Sequence, residues 1–141
     1  VNVRACLFLL FLPLVLGIAT TAAADDTLIA ASNAADHWLA LMDSGQYDES
    51  WNQAASFFKE KVTKEEWVSV SKRVRPPMGK VTLRQFKSAQ YETKPPAAPE
   101  GKYIVFQYQT KFASGTILET VTPMLDKDGT WRVSGYFIHR D

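Results

Sequence analysis

The most concentrated chemistry in the sequence is the run Lys72-Arg73-Val74-Arg75, followed after four intervening residues by Lys80. Cations so closely spaced could hold an anionic lipid headgroup, a polysaccharide or an acidic partner. They also suit the last turn of a helix, where positive charge meets the negative pole of the backbone dipole. Exposed Lys and Arg cost little, so the solvated helix end is the simpler reading. A second concentration is the stretch ETVTPMLDKDGTWRVSGYFIHRD, Glu119 to Asp141. Its aromatic side chains read first as one wall of a core, and Glu119 reads as a solvated strand residue paired with Arg132 on the neighbouring strand. His37 and His139 are the only histidines. A metal site takes three or four ligands, and neither HxH nor HxxxH spacing occurs, so no metal is expected. Asp36 beside His37 is no dyad, because neighbouring helical side chains point about 100° apart. There is no GxSxG, no glycine-rich phosphate loop and no HExxH. No residue is therefore assigned a catalytic role, and no cofactor is expected.

The elements that must position these residues divide the chain in two. Leu28, Ala31, Ala35, Trp38, Leu39 and Met42 recur at helical spacing and predict a first helix over about Thr27 to Met42, stopped by Asp43-Ser44-Gly45. A second helix is expected from an N-cap at Asp48, with Trp51, Ala55, Phe58 and Val62 on one face. A third opens on Thr63, which has capping-box spacing to Glu66. It would bury Trp67, Val70 and Val74 and end at Pro76-Pro77, with Arg75 pushed toward an extended conformation by the proline after it. From Lys80 the period changes to two. Strands are expected at Val81–Tyr91, Tyr103–Phe112, Ile117–Leu125 and Thr130–Arg140, joined as an antiparallel meander. Asp128-Gly129 is the strongest hairpin signal, and the proline-rich KPPAAPEG is too short for a crossover helix. On simple alternation, Trp131, Val133, Gly135 and Phe137 point one way and Arg132, Ser134, Tyr136, Ile138 and Arg140 the other. Gly135 is a candidate bulge.

Residues 1–24 read as a cleavable secretory signal: Arg4, the apolar run ACLFLLFLPLVLGIA, then Ala22-Ala23-Ala24 before Asp25. Pro13 interrupts the run, and a permanent span needs about 20 apolar residues, so no stable membrane insertion is expected after cleavage. Residues 25–141 then form one domain. The single cysteine, Cys6, falls within the signal, which leaves the domain without a disulfide, a thiolate ligand or a cysteine nucleophile. Arg4 is the only charged residue before Asp25, so the domain carries 15 acidic residues and as many basic ones. That balance argues against nucleic acid as a partner. The charge is unevenly spread: residues 25–50 hold acids and no base, while residues 59–87 are rich in Lys and Arg.

Several phrases, DSGQYDESW (43–51), the helix holding Lys64-Glu65-Glu66-Trp67, RVRPPMGKV (73–81), PEGKYIVFQYQTKF (99–112) and ETVTPMLDKDGTWRVSGYFI (119–138), resemble the bacterial family catalogued as domain of unknown function 4019. Helices followed by a bent antiparallel sheet also resemble the nuclear-transport-factor-2-like, or cystatin-like, superfold. The resemblance implies an α+β fold, with N-terminal helices packed on a curved four-stranded antiparallel sheet to form a cone. That superfold hosts both enzymes and binding modules and does not choose between them. Its enzymes place an Asp, Tyr or His inside the cone, which makes Asp43, Tyr47, Tyr103, Glu119 and Tyr136 the positions to consider.

These readings point to an exported, periplasmic or secreted domain that binds a small molecule or a protein partner without catalysis. The binding candidates are Tyr47, Tyr103, Glu119, Arg132, Tyr136, Arg73 and Arg75. The alternatives are a small-molecule enzyme using general acid–base chemistry in the cone and a structural dimeric protein. Strands with apolar residues on both faces, such as Tyr103-Ile104-Val105-Phe106, need a cover on the second face. The KPPAAPEG loop or a weak homodimer would supply it. Processing is expected between Ala24 and Asp25, and N-terminal sequencing of the exported protein checks it; a chain retaining Leu7–Leu16 would overturn the soluble reading.

Overall fold

The computed structural model describes residues 20–139. The apolar run at 5–19, which includes Cys6, and Arg140 lie outside them. Four helices, α1 (Thr20–Asp43), α2 (Tyr47–Asn52), α3 (Ser56–Lys61) and α4 (Lys64–Val74), are followed by a 3-10 turn at Pro76–Met78. Strands β1 (Val81–Glu92), β2 (Tyr103–Phe112), β3 (Gly115–Leu125) and β4 (Trp131–His139) then form a curved antiparallel sheet in the order β1-β2-β3-β4. The fold is α+β with the helices first, as the change of period at Lys80 requires. Among the described residues no helix is long and apolar enough to cross a membrane.

The core lies between α1 and one face of the sheet. Ala31, Ala35, Trp38, Leu39 and Met42 are buried against Ile104, Phe106, Tyr108, Val121 and Val133. Trp38 is the centre. Its indole donates to the Ser50 carbonyl at 2.8 Å, and its ring packs on Trp67 and Tyr136. Leu28, expected on this face, is 42 % exposed. It sits at the margin of the sheet, in a groove with Tyr91 and Ile104.

Local signals decide the helix ends. Gly45 takes φ +75° after α1, and Gly129 takes φ +79° in the β3–β4 turn, conformations that cost glycine nothing. Thr63 and Glu66 close a reciprocal capping box, each side chain bonded to the other's backbone N–H. The single second helix does not form. Its chain breaks at Gln53-Ala54-Ala55 because the Ala55 N–H donates to Val133 on β4 at 2.8 Å. The next residue, Ser56, then donates its N–H and hydroxyl to Asp126. These tertiary bonds satisfy donors that a continuous helix would have used. The inward face of α4 also differs from the expectation: Trp67 packs against the core and Ser71 is buried, whereas Val74 is 37 % exposed.

The largest departure is on β4, and its cause lies on β3. Pro123 has no N–H to give the ladder, and a proline inside a central strand is tolerated at a bulge. Thr122 opposes Gly135 while Pro123 opposes Val133, so Ser134 is the extra residue. Its hydroxyl donates to the Thr122 carbonyl at 2.8 Å. The bulge reverses the alternation beyond it. Tyr136 and Ile138 therefore join Val133 on the helix side, and Phe137 faces outward, 69 % exposed. Simple alternation had assigned Val133 and Phe137 to one face.

Candidate functional site

The bulge brings Tyr136 to a polar cluster that closes one end of the core. Glu119 stands on β3 between Ile117 and Val121, on the face that packs against the helices, and is fully buried. Its Oε1 accepts from the Tyr136 hydroxyl at 2.6 Å and from Arg75 Nη1 at 3.2 Å. Its Oε2 accepts from Arg84 Nε at 2.8 Å and from the Thr110 hydroxyl. Both guanidinium groups continue to Asp43 at the end of α1: Arg75 through Nη2, and Arg84 through Nη1 and Nη2 at 2.8 and 3.0 Å. Arg75 also lies over the Phe112 ring, 4.8 Å from its centre.

Two guanidinium groups thus balance two carboxylates. Burial works against the charge of Arg84, but its hydrogen bonds to Asp43 and the charge of Glu119 outweigh burial and hold its pKa above the ordinary value. Burial first, then the Glu119 charge, raises the Tyr136 phenol well above the usual tyrosine range. Tyr108, buried with the Asp36 carboxylate nearby, is pushed up to about 12.

The cluster corrects two expectations. Glu119 is not solvated and does not pair with Arg132, which stands opposite Met124. Arg132 holds Asp128 instead, at 2.7 and 2.8 Å, and keeps that carboxyl well below its usual range. Arg75 is not part of a solvated helix end. It is 6 % exposed and stays helical, with φ −75° and ψ −45°. Its bonds to Asp43, Glu119 and Tyr136 offset the steric bias of the following proline.

Of the binding candidates, Glu119, Tyr136 and Arg75 come together here, joined by Asp43. The others lie apart. Tyr47 is buried in the main core, Arg73 is exposed on α4, and Tyr103 lies under the proline-rich loop, donating to the Pro99 carbonyl at 2.7 Å. That loop is therefore an intrachain cover for the apolar start of β2. Arg84 and Thr110 were not anticipated. Their signal was the alternation itself: Thr110 falls between the inward-facing Tyr108 and Phe112, and Arg84 is its partner on β1.

A second feature lies on the outer face. α3, the loop at 95–98 and β4 enclose a groove of about 470 Å³, lined by Phe57, Phe58, Pro96, Tyr103 and Phe137 with Lys61 alongside. Ala97 in this loop has φ +59°, a left-handed conformation that a non-glycine residue seldom adopts.

Fold and cluster define a small α+β domain whose core is locked at one end by a charge-balanced hydrogen-bond network. The family described as "Protein of unknown function (DUF4019)" matches residues 34–136, and the chain belongs to it. No curated protein matches the chain.

Removing one partner of a buried charge network leaves the others uncompensated. Glu119→Ala is expected to destabilise the domain by about 3–5 kcal/mol, whereas Arg132→Ala, at a solvated pair, should cost no more than about 1 kcal/mol. Urea unfolding of the two variants checks the contrast. The raised phenols set the alkaline limit. Because Tyr108 and Tyr136 have folded-state pKa values above the ordinary 10.0, their stabilisation is complete below that pH and is lost as pH rises toward the folded values. Tyr136→Phe should flatten this decline in pH-dependent unfolding curves; a stability that stays level up to about pH 12 in the parent protein would contradict it.

Proposed function

We propose that the protein is an exported, periplasmic, non-enzymatic binding domain whose ligand occupies the outer groove between α3, the proline-rich loop and β4. The carrying observation is the groove itself: about 470 Å³ of space beside exposed aromatic rings, within the range of small-molecule sites. Phe137, 69 % exposed, is one of the rings that line it. The left-handed Ala97 in the loop opposite is the kind of backbone strain that gathers at ligand clamps. The lining suits an apolar or aromatic body. Lys61, held over the Phe57 ring at 5.4 Å, would favour an acidic substituent at one end.

The acid–base alternative has weaker support. A general base must reach a substrate proton, and Glu119 is enclosed by Arg75, Arg84, Thr110 and Tyr136 as donors. The homodimer reading draws on Phe137, since the intrachain cover extends over Tyr103 and leaves Phe137 bare. Export rests on the N-terminal run and its small-residue exit, and the balanced charge leaves nucleic acid out of the partners.

Native mass spectrometry of the exported protein, purified without denaturant, tests the reading. A bound small molecule is expected on the parent protein and should be lost in Phe137→Ser, whose exposed position spares the core. Identical spectra for the two proteins, with nothing bound to either, would overturn the groove as the site. A dimer abolished by the same substitution would place a second copy there instead.

A further inference from the structure

On the opposite side of Tyr136, α4 and the end of β4 do not close completely. Between them lies a cleft of about 200 Å³ walled by Trp67, Val70, Val74 and Ile138, with Ser71 and Arg75 also lining it. Ser71 is 3 % exposed, and its hydroxyl has no hydrogen-bond partner among the described residues. Such a buried group is costly to leave unmade, and a helical serine can usually bond the carbonyl one turn back. Arg75 donates through Nη1 and Nη2 only. A guanidinium has five N–H donors, and the Nε–H of Arg75 has no acceptor among the described residues. The unpartnered Ser71 hydroxyl and the guanidinium of Arg75 therefore line one otherwise apolar cleft.

We infer that this cleft binds a small monocarboxylate with an apolar tail. The carboxylate accepts from the Ser71 hydroxyl and Arg75 Nε, and the tail lies against Trp67, Val70 and Ile138. Charge favours an anion over a neutral acceptor. The Arg75 guanidinium gives an anion a charge-assisted bond, and Lys72 and Arg73 in the last turn of α4 offset the negative pole of that helix end. At roughly 30 Å³ per water-sized group, the cleft admits about six or seven non-hydrogen atoms, the size of a short-chain acid. The site is separate from the outer groove and does not depend on its occupant.

Titration of the purified exported protein with pentanoate, followed by ¹H–¹⁵N spectra, tests the inference. Saturable shifts are expected at the Trp67 indole and at the amides of Val70, Ser71 and Val74, with a Kd of about 1 mM for so small a ligand. Pentan-1-ol and pentylamine should bind at least about five-fold more weakly, since neither offers the charged acceptor. Ser71→Ala should weaken pentanoate about ten-fold through the lost hydrogen bond, without lowering the thermal midpoint of the unliganded protein. Phe137→Ser should leave the shifts unchanged. Absence of saturable shifts, equal binding of pentan-1-ol, or a Ser71→Ala variant that binds pentanoate like the parent would each overturn the assignment.

Discussion

The carboxylate of Glu119 has no exposed surface, and the rest of the fold is arranged so that its charge never goes unanswered. Moving an ion of this size out of water costs several kcal/mol even after relaxation, and the attraction of a partner offsets that only with good geometry and every lone pair used. Here the answering groups come from nearly the whole chain. Arg75 caps α4, Arg84 lies on β1, Thr110 on β2 and Tyr136 on β4, while Asp43 at the end of α1 balances the second guanidinium charge. The network also discriminates between registers. A one-residue slip of β3 would turn Glu119 to the outer face and leave two guanidinium groups buried without it. Its contribution therefore lies as much in excluding alternative pairings as in net stability.

Whether that network can form at all depends on a proline elsewhere. Pro123 denies the central ladder one donor, Ser134 is extruded opposite it, and the parity of β4 reverses beyond that point. Without the bulge, Tyr136 would face outward and Phe137 would be driven against Trp38 and Trp67. The cluster would lose one of the two donors to Glu119 Oε1, and the outer groove would lose its most exposed ring. One missing N–H on β3 thus sets which aromatic residue completes the interior and which is left for contact with something else.

Much of the architecture was legible because the relevant signals are local. The Thr63–Glu66 box, the left-handed glycines at 45 and 129 and the two-residue period after Lys80 each need only a few neighbouring residues to act. The site was less legible because its parts are far apart in sequence. Arg75 looked like a solvated helix end while its partners, Asp43 and Glu119, lay 32 and 44 residues away. The pairing of Glu119 with Arg132 failed on register, since Arg132 stands opposite Met124, five residues further along β3. The sequence held a warning in Pro123, and another in Ile117-x-Glu119-x-Val121, which places a charge on an apolar face. The break between α2 and α3 carried no such local sign, since it is Val133 and Asp126 that draw the chain out of helix there.

The division of polar chemistry bears on function. Inside, hydrogen-bond donors converge on Glu119, so the most reactive-looking group is also the least available one. The unspent capacity lies at the edges of the network: a hydroxyl on Ser71, the Nε–H of Arg75, and the ring of Phe137 on the other side of the sheet. Tyr136 belongs to both margins, lining the outer groove and the α4–β4 cleft while its hydroxyl is fixed to Glu119. Its ring packs on both Trp38 and Trp67, so neither space can deepen there without displacing a member of the buried network. Both preformed spaces thus stand at the margins of a network whose central carboxylate already has all its donors from within the chain.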